Sequence, residues 1–188
     1  MEELVDDYNF SVFWKPFQLN PEMPKEGMPS NSLLEEKYGE SVAGEMMENM
    51  TRLGKSEGIH FNFPAIPITP NTMKIHRLIR YAGLYQKQNL LVNSLFGAYF
   101  ELGENLGDDG VLLEHAVRAG LNYNDTSGFL DGDEFLREVE EEESAYRNAG
   151  IRGVPAFVIN HQFLIVGAQT PEFFISAIKQ LESQGGVN

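Results

Sequence analysis

Few side chains in this 188-residue chain can do chemistry: it has four histidines, 28 carboxylates and no cysteine. Without cysteine these residues offer no disulfide, no thiolate metal site and no thiol nucleophile. His60, His76, His115 and His161 are widely spaced and show no His-x-x-x-His pair, so no metal centre is expected. There is no glycine-rich phosphate loop and no nucleophile elbow. Neighbouring carboxylates carry no information in a chain this acidic. The run at 138–143 reads as a solvated helix face, and its pairing with Arg137 and Arg147 adds only about tenths of a kcal/mol. Single residues at element boundaries remain. Phe17 follows an apolar run, Asn71 stands at a helix start with His76 beyond it, Val154-Pro155 precedes a β run, and Gln169 follows another.

These residues depend on the elements that hold them. The chain is long enough, and at 42% hydrophobic apolar enough, to bury a core. A net charge of −14 argues against nucleic acid or an anionic membrane as partner, since both need a basic footprint. No apolar run approaches the roughly 20 residues that span a bilayer. The acidic first ten residues do not read as a secretory signal, and a cytoplasmic location is expected.

Residues 1–8 read as the last turns of a helix. Residues 10–17 are rich in aromatic and β-branched types and read as a strand that Pro16 ends. Pro21, Pro24, Gly27 and Pro29 make the next stretch a loop. A helix is expected from about Ser30 to Lys55, because Leu33, Leu34, Tyr38, Val42, Met46, Met50 and Leu53 recur at helical intervals. Its methionines read as core filling. Pro64, Pro67 and Pro70 force an extended stretch. Helices follow over about 71–88, 89–103, 108–120 and 133–150. Residues 155–159 and 162–168 then read as an antiparallel hairpin turning at Asn160-His161. Thr170 as N-cap, Pro171 at the first position and Glu172 in the first turn open a final helix.

Four runs, in order, carry a resemblance that covers nearly the whole chain. They are Trp14-Lys15-Pro16-Phe17-Gln18-Leu19-Asn20-Pro21; Pro70-Asn71-Thr72 with His76-Arg77-Leu78; Gly153-Val154-Pro155-Ala156-Phe157-Val158-Ile159; and Gly167-Ala168-Gln169 with Pro171-Glu172. Together they resemble the DsbA-type thioredoxin-fold family. The nearest branch is the FrnE-like one, similar to 2-hydroxychromene-2-carboxylate isomerases and kappa-class glutathione transferases. The implied fold is α/β: a thioredoxin-like domain from 1–29 and 150–188, with a helical insertion over 30–149. The implied activity is thiol–disulfide exchange on a peptide or small thiol. Pro155 matches the family's cis-proline and Val154 the residue that presents backbone groups to substrate. Asn71, His76, Phe17 and Gln169 fall in regions the resemblance places near that pocket.

The family's first strand and Cys-x-x-Cys helix start have no counterpart here. Either the sequence is truncated or the protein has lost redox chemistry. A glutathione-dependent isomerase or transferase, with glutathione as ligand, is the alternative activity; a non-catalytic binding module is the third. An absent first strand would leave an open sheet edge, so a homodimer is expected.

Overall fold

The computed structural model describes residues 10–30, 35–36 and 38–183. The helical end expected at residues 1–8 lies outside them. In chain order the elements are β1 (Met28–Pro29), α1 (Glu40–Ser56), a 3₁₀ turn (Phe63–Ala65), β2 (Ile68–Thr69), α2 (Met73–Gly83), α3 (Gln88–Phe96), a π turn (Gly97–Glu101), α4 (Asp109–Arg118), α5 (Tyr123–Asp131), α6 (Leu136–Asn148), β3 (Ala156–Ile159), β4 (Phe163–Val166) and α7 (Pro171–Ser183). Two short antiparallel ladders form, β1 with β2 and β3 with β4.

The larger core lies among α2 to α5. Leu78, Leu91 and Leu112 are fully buried there, and each such side chain contributes about 1.5–3 kcal/mol relative to exposure. Arg77 is buried at its rim. Its Nε donates to the Glu134 carbonyl at 2.7 Å, its Nη2 donates to the Gly132 carbonyl, and its guanidinium lies over the Phe129 ring. A cation so placed satisfies carbonyls freed at the end of α5 and fixes the turn into α6. A second cluster joins Ile165 of β4 to Phe174 and Ala177 of α7, with Phe10 and Phe157 against it.

The hairpin and final helix form where the turn chemistry put them. Asn160 and His161 both adopt positive φ, 48° and 59°, within the three residues joining Ile159 to Phe163. Thr170 accepts from the Phe173 N–H through its side chain and from the Phe174 N–H through its carbonyl, with Pro171 at the first helical position.

Four expectations need correction. Residues 10–17 carry no regular secondary structure and join no ladder among the described residues. A strand needs a hydrogen-bonding neighbour, and here side chains of α3 take that role. Gln88 accepts from the Trp14 backbone N–H at 2.9 Å and donates to its carbonyl at 3.2 Å, while Trp14 Nε1 donates to Asn89 at 2.7 Å. The helix expected from Ser30 to Lys55 is interrupted at Gly39, whose φ of 82° lies in the region that favours glycine, and α1 starts at Glu40. The methionines of α1 do not fill a core: only Ala43 and Gly54 are buried on this helix. The amphipathic period predicted the helix correctly but could not say which part of its apolar arc meets the protein. Finally, α5 forms where the sequence predicts a linker, since Thr126, Ser127 and Gly128 are poor helix formers. The Asn122 side chain caps it by accepting from Asp125 N–H, and burial of Thr126, Phe129 and Leu130 overrides propensity.

Candidate functional site

The turn into β3 is the first part of the site. The Val154-Pro155 peptide bond is cis. The Pro155 carbonyl accepts from the Gly167 N–H at 2.8 Å, which extends the hairpin by one bond beyond the Ala156–Val166 pair. Val154 therefore stands at the open end of the hairpin, 51% exposed. Among the described residues nothing hydrogen-bonds its N–H or its carbonyl. Gln169 comes two residues after Gly167, is exposed, and bonds its own Val166 carbonyl at 3.3 Å.

The inner face of the hairpin rests on α7, with Phe157 edge-on to Phe174 at 5.0 Å between centroids. Its outer face shows Val158, Leu164 and Val166 to solvent. The long edge of β3 away from β4 has no strand beside it among the described residues. Unpaired N–H and C=O groups along such an edge, with apolar side chains above it, suit an extended peptide.

Phe17 and His76 belong to a second group. The segment 14–18 is strapped to α6 and α3 by its polar atoms. Glu143, 5% exposed, accepts from Gln18 N–H at 3.0 Å and from Gln18 Nε2 at 3.2 Å. Arg147, one turn on, pairs with Glu143 at 2.7 Å, donates to the Gln18 carbonyl, and lies 4.4 Å above the centre of the Phe17 ring. Lys15 and Arg80 both bond Glu142, at 2.6 and 2.9 Å. His76 on α2 packs here, and its Nε2 is buried without a partner. Burial pushes the His76 pKa down, while the Glu143 charge and a hydrogen bond with the Phe17 backbone push it up; burial prevails and favours the neutral ring. A neutral imidazole with a free Nε2 can accept or donate one hydrogen bond.

Asn71 stands apart from both groups. Its Nδ2 donates to the Met23 carbonyl at 2.6 Å and its Oδ1 accepts from Met73 N–H at 2.9 Å. Those bonds tie a loop to the start of α2, which is the helix-start reading of this residue. The fold thus brings Val154, Pro155 and Gln169 to one end of the hairpin and Phe17 with His76 to the strap, with Asn71 at neither.

Sequence reasoning missed the Gln18–Glu143–Arg147 cluster. It took 138–143 for a solvated face, and Glu140 and Glu141 are exposed, but Glu143 is not. The signal that could have found it is Val139, four residues earlier: a fully buried residue at i−4 puts Glu143 on the inward face. It also set His115 aside. That imidazole is 2% exposed and bridges Ser94 at 2.7 Å and Glu104 at 2.8 Å. The carboxylate can only accept, so Nε2 carries a proton and the trio ties α3, α4 and the intervening loop together.

No described helix is long and apolar enough to cross a membrane. Three comparisons place this geometry among known proteins. The model of the DSBA-like thioredoxin domain matches residues 1–179. The uncharacterized protein YwbO of Bacillus subtilis is 26% identical over 179 residues, covering 94% of this chain and 85% of that one. The crystal structure of the probable DsbA oxidoreductase SCO1869 from Streptomyces coelicolor superposes with a TM-score of 0.82 at 26% identity, over 93% of this chain and 75% of that one. With a thioredoxin-like architecture, a helical insertion and a match along almost its whole length, the chain belongs to the DSBA-like thioredoxin-domain family.

Proposed function

We propose that the chain serves DsbA-type thiol–disulfide exchange by presenting an extended peptide or small thiol at Val154-Pro155, within the FrnE-like branch of the family. One observation carries this reading: an exposed Val154 with unengaged backbone groups, at the head of an open β3 edge. A substrate strand laid there gains main-chain hydrogen bonds without displacing any existing one. In the exchange itself a thiolate attacks a disulfide sulfur, a mixed disulfide forms, and the second sulfur leaves as a thiolate. None of the 188 residues is a cysteine, so the attacking sulfur is not one of theirs.

Two experiments test this. In an ¹⁵N-amide titration with a short cysteine-free peptide, shifts should cluster at Gly153, Val154, Ala156 and Gly167. Shifts elsewhere, or none at millimolar peptide, reject the presentation site. The same titration with reduced glutathione separates a small-thiol ligand from a peptide. Insulin reduction by dithiothreitol should run at the blank rate with the chain present. A rate clearly above it would show that our account of the sulfur is wrong.

A further inference from the structure

Helix α1 carries an apolar stripe that is left half-exposed among the described residues. Val42, Met46, Met50 and Leu53 are 40–59% exposed along one side. At 100° per residue they span about 80° of the wheel. The buried Ala43 and Gly54 occupy the adjoining arc, where Gly54 lies so close to the Phe61 ring that a Cβ there would meet it at 2.5 Å. The helix is therefore seated by one part of its apolar arc and offers the rest to solvent. Four half-exposed apolar side chains in register on one helix form a patch, and patches of that kind mark interaction surfaces.

The charges beside the stripe say what fits it. Of the charged residues of α1, Glu40, Glu45 and Glu48 lie in the first half and Arg52 and Lys55 in the second, and only Glu45 and Arg52 adjoin the stripe: Glu48 and Lys55 point to its far side, and Glu40 lies beyond the buried arc. Glu45 and Arg52 flank the stripe on the same side, about 20° apart on the wheel. No described residue forms an ion pair with any of these five. An antiparallel copy of the same helix, turned about a twofold axis near residue 48, sets Met46 opposite Met50 and Val42 opposite Leu53. The same operation sets Glu45 opposite Arg52. Antiparallel pairs bring like flanks together, so the acid of one copy meets the base of the other. Apolar register and charge register thus agree on one axis, which an unrelated partner has no reason to satisfy.

We propose that α1 is a self-association surface on which a second copy of this chain packs antiparallel. The proposal is independent of thiol chemistry, and it assigns the dimer to the insertion helix instead of an open sheet edge. A 17-residue helix is about 25 Å long, and this contact is smaller than a standard interface, so the dimer is a weak one. Two copies at −14 repel at long range, a force screened beyond about 8 Å at physiological ionic strength.

The test is sedimentation equilibrium at about 0.15 M salt. The average mass should rise with concentration from 21.2 kDa towards twice that value. Met46→Glu with Leu53→Glu, both at exposed positions, should hold the mass at the monomer value with helix content unchanged by circular dichroism. Glu45→Arg alone and Arg52→Glu alone should each weaken the dimer at least threefold, and combining them should restore it. A chain monomeric at every concentration overturns the proposal. So does a dimer that survives Met46→Glu/Leu53→Glu, since its contact lies elsewhere, and so does a double charge swap no better than the singles.

Discussion

Removing the Glu143 carboxylate should unstrap the segment that carries Trp14 and Phe17. Glu143 accepts two hydrogen bonds from Gln18, at 3.0 and 3.2 Å, and two from Arg147, at 3.2 and 2.7 Å. In Glu143→Ala the buried Gln18 N–H loses its acceptor, which costs about 1–3 kcal/mol. Arg147 is one-third exposed and rehydrates, so freeing it adds less than the 3–5 kcal/mol typical of breaking a fully buried pair. The total comes to about 3 kcal/mol. For a domain of this size, a shift of about 2–4 °C per kcal/mol puts the fall in Tm at about 6–12 °C. Glu143→Gln keeps an acceptor for Gln18 and loses only the charge assistance, so it should cost about 1 kcal/mol. Urea unfolding followed by circular dichroism measures both. A double-mutant cycle with Arg147→Met should show coupling above about 0.5 kcal/mol, because the two side chains share Gln18. If Glu143→Ala lies within about 0.5 kcal/mol of the parent, or the cycle is additive, the strap does not hold segment 14–18 as argued.

Two other changes probe groups that are buried without partners. Burial holds the His76 pKa below its ordinary value, so His76 contributes stability above about pH 6.5 that is lost as pH falls through the folded pKa. His76→Leu should therefore flatten the decline in stability between pH 7.5 and 5, measured by urea midpoints at each pH; an unchanged slope would contradict the burial of this ring. Thr126 is fully buried and its hydroxyl has no partner, so Thr126→Val should raise stability by about 1 kcal/mol, read as a higher Tm. A loss of stability instead would mean that the hydroxyl is satisfied.

The sequence by itself determined the elements whose signals are local. Asn160 and His161 tolerate the left-handed turn, and Thr170-Pro171-Glu172 starts α7. The family, too, was legible, because its motifs are contiguous runs around Trp14, Asn71 and Pro155. What only the tertiary structure decided are matters of which surface meets which. Residues 10–17 have strand composition, yet whether they join a ladder depends on a neighbour that composition cannot supply, and Gln88 from a distant helix takes its place. The period of α1 fixes an apolar arc but not how much of it is covered, so Met46 and Met50 read as core and are exposed. Val139 at i−4 puts Glu143, unlike Glu141, on the apolar side of α6, but only the tertiary structure brings the Gln18 backbone to that side to meet its carboxylate. Hydrophobic period and turn chemistry act within a few residues, whereas burial of a charge or exposure of a methionine is set by contacts far apart in the chain.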